Sequence, residues 1–221
     1  MRFKLLTFKL ESNKFFNPRT AEKIRGYFGN LYTKDILFHH HLGDGKLYYR
    51  YPFIQYKIID GEPLIIGIKD GVDSLKKSFL EVDRLVIDKK EFEIFEKSII
   101  LEEIEFGVSK KIFKYKFITP WYALNQNNYK KYLELDSIES KRELLKSILT
   151  GNILVISKSI GITITERIEV KKLYFKEFKF NLDDNRILGF VGNFSVNFQL
   201  PDYIGLGKSV SRGFGTIKRI V

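Results

Sequence analysis

Residues 203–215 read Tyr-Ile-Gly-Leu-Gly-Lys-Ser-Val-Ser-Arg-Gly-Phe-Gly, four glycines set around Lys208 and Arg212 near the end of a 221-residue chain. The trio Gly207-Lys208-Ser209 invites comparison with a phosphate-binding P-loop. That motif needs a glycine five positions before Gly207, where this chain has Asp202. It also needs a following helix and more sheet, for which the 12 residues after Ser209 are too few. The dinucleotide pattern G-x-G-x-x-G fails as well, because Val210 stands at its third glycine. The segment reads instead as a flexible, low-bulk loop before a last strand, Gly215–Val221. Its glycines let the backbone lie close to a phosphodiester chain, and its successive N–H groups suit an anion nest. The bland alternative is a glycine-rich hairpin turn.

Upstream of the loop, Ile187–Leu200 predicts a long strand. Ile162–Phe180 predicts another, or a bent hairpin, joined to it by the turn Asp183-Asp184-Asn185. Asn125–Tyr132 and Ser137–Ile148 read as helices, the second with Leu144, Leu145, Ile148 and Leu149 on one face. Lys110–Thr119 alternates lysines with aromatic residues, as a half-exposed strand does. From Val108 onward the order is therefore strand, helix, strand, strand, short loop or helix, strand.

The first half repeats that order. Met1–Glu11 alternates apolar and charged residues, and Asn17-Pro18 starts a helix that runs to about Asn30. Leu47–Ile59 and Leu64–Ile68 are strands around the hairpin turn Asp60-Gly61. Val72–Val82 is a short helix and Arg84–Asp88 the fourth strand, with Glu91–Lys97 and Ile99–Phe106 as an added pair. Strand, helix, strand, strand, helix, strand is the ferredoxin-like unit, an antiparallel sheet with two helices on one face. The expected fold class is α+β: two tandem ferredoxin-like (RRM-like) units, residues 1–107 and 108–221, the second with a C-terminal glycine-rich loop. The repetition is one of element order, not of sequence.

Charge is distributed in blocks. Residues 1–59 hold 11 basic and 4 acidic residues, residues 60–107 hold 7 and 13, and residues 108–221 hold 20 and 10. The whole chain carries +11. A general lysine bias would not leave an acidic block between two basic ones, so the pattern points to basic surfaces for a polyanion and a separate acidic face. The absence of cysteine excludes disulfides, iron–sulfur clusters, thiolate zinc sites and cysteine nucleophiles. The opening residues have no apolar core of a signal peptide, and stretches such as Gly151–Ile156 are far short of the roughly 20 residues that span a bilayer. A cytoplasmic protein with no membrane partner is expected.

The three histidines are consecutive, His39, His40 and His41. In an extended stretch neighbouring side chains point to opposite faces, so the three do not easily meet one metal. His39 and His41 form at most a two-histidine site, and no third ligand is evident. An incidental surface run is the other reading. The paired carboxylates Asp183-Asp184 and Glu102-Glu103 read as a turn and a solvated face, and no cofactor is implied.

Gly205, Gly207, Ser211, Gly213, Phe214 and Gly215, placed just before the final strand, resemble the glycine-rich loop of the RAMP superfamily of CRISPR-associated RNA-binding proteins. Two ferredoxin-like units ending in this loop resemble its repeat-processing endoribonuclease branch, the Cas six family. The resemblance implies metal-independent cleavage of CRISPR precursor RNA within its repeats. The substrate's own 2′-hydroxyl attacks the adjacent phosphate, leaving 2′,3′-cyclic phosphate and 5′-hydroxyl ends. It also implies a general acid/base histidine after the first helix, with tyrosine and lysine nearby. By position His40 is the first choice, with His39 and His41 as alternates. Lys46 is the candidate cation, and Tyr32, Tyr48 and Tyr49 are orienting or acid groups. Relatives with a second histidine before the first helix differ from this chain, which has Asn13 and Lys14 there. The RNA contacts expected are Gly205, Gly207, Lys208, Ser211, Arg212, Gly213 and Gly215 of the loop, and Lys110, Lys111, Lys114 and Lys116. A non-catalytic RAMP subunit holding repeat RNA is the alternative. The CRISPR interference complex and a second copy of the chain are further partners consistent with this reading.

Overall fold

The structure of the protein is a computed structural model describing residues 1–39, 51–182 and 185–220, with His39 given by its backbone alone. The chain divides into two compact units. The first comprises Arg2–Ile104 with Val210–Gly213, and the second takes Met1, Glu105–Ser209 and the residues from Phe214 on.

The first unit runs β1 (Arg2–Ser12), α1 (Thr20–Leu31), α2 (Ile36–His39), β2 (Ile54–Ile59), β3 (Glu62–Ile68), α3 (Asp70–Glu81), β4 (Arg84–Ile87) and β5 (Lys90–Glu105). Asn17 Oδ1 accepts the Arg19 N–H at 2.9 Å in the turn that leads into α1; the N-cap position is Arg19, without a side-chain cap, and not Asn17 as expected. Ala21, Ile24 and Phe28 are the buried stripe of that helix. They pack with Val72 and Leu75 of α3 on Leu6, Phe8 and Leu10, which point from β1 to one face of the sheet. Both helices thus cover one face. Asp60 and Gly61 have φ of 52° and 86°, the conformation that a two-residue hairpin turn requires.

The sheet order is β2-β3-β1-β5-β4. Arg2 pairs with Glu103 at one end of β1, while Phe16 just beyond the other end packs on Phe92, so β5 runs antiparallel to β1. It therefore occupies the fourth place of the ferredoxin-like sheet. The strand expected there, β4, is an added edge. The expected pair Glu91–Lys97 and Ile99–Phe106 is one continuous strand.

The second unit runs β6 (Gly107–Trp121), α4 (Gln126–Glu134), α5 (Ile138–Ser159), β7 (Val170–Leu182), β8 (Asn185–Gln199) and β9 (Ile217–Ile220). Asn125 and Ser137 cap the two helices, accepting the N–H groups of Asn128 at 2.8 Å and Ser140 at 3.0 Å. Its sheet order, β7-β8-β6-β9, is that of the ferredoxin-like unit. Leu173 and Phe175 of β7 turn to the helix side, where Arg142 of α5 donates to the Leu173 carbonyl and Tyr132 of α4 donates to Glu177. Two expectations are corrected. α5 continues past Ile148 to Ser159, and β7 begins at Val170, not at Ile162.

Candidate functional site

The glycine-rich segment is a packed element, not a flexible loop. Leu206 N–H donates to Gly215 O at 2.9 Å, Lys208 N–H to Tyr122 O at 2.9 Å, Gly213 N–H to Val210 O at 3.1 Å and Gly215 N–H to Pro120 O at 2.8 Å. With these donors satisfied inside the protein, the expected nest of successive N–H groups for an anion does not form at these four positions. Gly205 forms a bridge to Thr216. At Gly215, φ is 64°, and a Cβ would stand 1.9 Å from the Leu206 carbonyl oxygen. At Gly213, φ is 92°, and a Cβ would lie 3.1 Å from the Tyr56 oxygen. These two glycines are there for turn geometry and close backbone approach.

The cations of the segment differ. A single turn of 3-10 helix, Val210–Arg212, carries half-buried Ser211 and directs Arg212 Nη1 to within 3.0 Å of Glu22 Oε1 on α1. Burial and then the like charge of Arg212 lower the pKa of neighbouring Arg25 on the same helix. Lys208, in contrast, is exposed. Its Nζ lies 4.5 Å from the centroid of the Tyr122 ring. Of the two, Lys208 presents its charge to solvent.

His40, His41, Lys46, Tyr48 and Tyr49 lie outside the described residues, so their arrangement is not assigned. The elements leading to them are assigned. Asp35 Oδ1 accepts the Leu37 N–H at 3.0 Å, and its Oδ2 accepts the Ser74 hydroxyl at 2.5 Å, tying the start of α2 to α3. Phe38 is buried in α2 and stacks on Tyr32 at 4.6 Å and on Phe28 at 6.0 Å. His39 therefore ends a helical turn anchored by aromatic packing. The Tyr32 hydroxyl has its pKa raised, by burial first and then by Glu81 beside it. It keeps its proton at neutral pH and so can offer a hydrogen bond to a partner, while burial makes it a weaker acid than a free phenol. The sequence offered no signal for Asp35 and Phe38 as anchors, since both roles depend on α3 and α1 arriving beside α2.

On β6, Lys114 and Lys116 point to the sheet face opposite the helices. Lys114 stands across from Ser195 on β8 and Ile220 on β9, and Lys116 across from Asn193 and Lys218. Lys110 and Lys111 are exposed in the irregular stretch between Val108 and Phe113. No helix among the described residues is long and apolar enough to cross a membrane.

A family model for the Cas6b N-terminal domain matches residues 1–105, and one for the Cas6b C-terminal domain matches residues 107–220. The chain belongs to the Cas6b family. A solved crystal structure of Cas6b is 38% identical with both chains fully covered, and superposes with a TM-score of 0.93. A crystal structure of a CRISPR RNA processing endoribonuclease Cas6b is 39% identical, again over the whole of both chains, with a TM-score of 0.77. Uncharacterized protein MJ0978 of Methanocaldococcus jannaschii is 47% identical over 116 residues, covering 52% of this chain and 78% of that protein. A CRISPR associated protein Cas6, at 16% identity and a TM-score of 0.57, shares the fold. The tandem ferredoxin-like architecture is thus that of Cas6 proteins.

Proposed function

We propose that this protein is an endoribonuclease that cleaves CRISPR precursor RNA within its repeats. The observation that carries the reading is the match of both halves to Cas6b, and the full-length likeness to a CRISPR RNA processing endoribonuclease Cas6b supports it. The chemistry needs a base for the 2′-hydroxyl, an acid for the departing 5′-oxygen and a cation for the charged phosphorane. The segment that follows α2 supplies those residue types in His40, His41 and Lys46, with Tyr48 close in sequence. A histidine of ordinary pKa near 6.5 serves either proton transfer, and a lysine stabilises the developing charge. Attack by the substrate's own hydroxyl requires no metal-bound water. The RNA itself is held by exposed lysines of the second unit, Lys114, Lys116 and Lys208 among them, through phosphate electrostatics.

The test is cleavage of a repeat RNA in EDTA, compared with the same RNA carrying one 2′-deoxy sugar at the scissile position. The unmodified RNA is cut to a 2′,3′-cyclic phosphate product, and the deoxy RNA binds with unchanged affinity but resists cleavage. Cleavage of the deoxy substrate, or a strict need for a divalent ion, overturns the mechanism. A gel shift without any cleavage points instead to a non-catalytic RNA-binding subunit.

A further inference from the structure

The alternation that marks Lys110–Thr119 recurs in β7, where Lys172, Tyr174, Lys176 and Phe178 fall on successive positions of one face. That face is the one turned away from the helices, because Leu173, Phe175 and Glu177 take the other side. Tyr174 is 58% exposed and Phe178 44% exposed, an unusual state for two large rings on one strand. The pairing places them beside lysines of the neighbouring strands. Tyr174 stands opposite Asn193, which stands opposite Lys116; Lys172 stands opposite Ser195, which stands opposite Lys114.

We propose that this helix-free face of the second sheet is a stacking platform for a single-stranded segment of RNA, with Tyr174 and Phe178 receiving bases and Lys114, Lys116, Lys172 and Lys176 receiving phosphates. The proposal rests on the RNA-processing reading above and adds where and in what form the RNA is held. The occupant follows from chemistry. From Lys172 to Phe178 this face of β7 carries two lysines and two rings and no carboxylate, and lysines at this density are disfavoured in the core of a protein–protein interface. A second copy would bring like charges together. A duplex hides its base faces, whereas unpaired bases stack on exposed rings without regard to sequence. Four residues of strand separate the two rings by about 13 Å, with Lys176 between them. The rings also continue toward the glycine-rich segment. Phe178 stacks on Phe180 at 6.4 Å, Phe180 stacks on Phe214 at 4.7 Å, and Phe180 meets Tyr122 edge-on at 6.0 Å. Lys208 lies over that Tyr122 ring. A line of aromatic rings thus leads from the sheet face to the exposed cation of the loop.

The experiment measures binding of a short oligouridine and of a closed hairpin RNA by the full-length protein. The variants are Tyr174→Ala, Phe178→Ala, Tyr174→Phe and Tyr174→Trp, each checked for wild-type thermal unfolding. Each alanine variant is expected to weaken oligouridine binding about tenfold, with hairpin binding nearly unchanged, and Tyr174→Phe to retain affinity. The native tryptophan, Trp121, is buried. The fluorescence of Tyr174→Trp is therefore expected to report on position 174 and to be quenched by oligouridine. Oligouridine binding unchanged in both alanine variants, with no quenching, overturns the platform while leaving RNA processing intact. Failure of the wild-type protein to retain any RNA overturns both. Self-association of the wild type that Phe178→Ala abolishes, with RNA binding untouched, assigns the face to a second copy and also overturns it.

Discussion

Lys57 is fully buried on β2, and its Nζ has no hydrogen-bond partner. Burial lowers its pKa from the ordinary 10.5 to about 7. Between those two values the unfolded chain binds a proton that the folded chain does not, so this residue makes stability rise with pH from about 7 to 10.5 and adds no slope below. Lys57→Met is therefore expected to raise the melting temperature at pH 7 by a few degrees and to flatten the rise between pH 7 and 9. A lower melting temperature with an unchanged pH slope counts against an unsatisfied ammonium. A lysine between Tyr56 and Ile58 reads in sequence as the exposed member of an alternating strand. Nothing local reveals that both faces of β2 are covered. The proposed proton-transfer residue has its own test. His40→Ala is expected to slow single-turnover cleavage by roughly 10²–10⁴-fold with little loss of RNA affinity, since a neutral imidazole adds little to phosphate electrostatics. Wild-type rates in that variant remove His40 from the mechanism.

Substitutions in the glycine-rich segment separate its structural and electrostatic roles. Gly215→Ala forces a Cβ into the Leu206 carbonyl at a positive φ, and is expected to lower the melting temperature markedly. Lys208→Ala leaves the backbone bonds intact. It is expected to keep the melting temperature and to reduce the salt dependence of RNA binding by about 0.7 in slope, as for one single-strand phosphate contact. If Lys208→Ala binds RNA with unchanged affinity and slope, the segment is a structural turn only. The position and composition of this segment were legible in the sequence; its packing was not, because the carbonyls of Pro120 and Tyr122 that accept its N–H groups come from the end of β6 and the residue just past it. Element boundaries failed for similar reasons. Lys97 looked like a break between two strands. Its ammonium instead turns to the end of α3, bonding Phe79 O at 2.9 Å, Val82 O at 3.1 Å and Asp83 Oδ1 at 2.6 Å, and β5 runs on. The helix expected over Ser137–Ile148 runs on through Gly151 to Ser159. The buried stripe Leu145, Leu149, Ile153 and Ile156 keeps helical spacing through it, and Asn152 is held by the Trp121 indole N–H at 3.0 Å. Spacing settled the βαββαβ order of both units, while the insertion of β5 between β1 and β4 depends on pairings far apart in sequence.

For the molecule as a whole, the blocks of charge make a quantitative statement. If Lys114, Lys116, Lys172, Lys176 and Lys208 each neutralise one phosphate of single-stranded RNA, the logarithm of the binding constant should fall against the logarithm of salt with a slope of about −3.5. A slope near zero would show that the net charge of +11 serves solubility and not RNA binding. The division of the chain has a further consequence. The first unit owns Val210–Gly213, and the Glu22–Arg212 ion pair joins residues almost a whole chain apart. Translation proceeds from the N-terminus at about 5–20 residues per second, so the first unit waits on the order of 5–20 s after its own body emerges for its closing segment to be made. A premature stop codon just before Val210 would therefore injure a unit whose main body had been translated long before it.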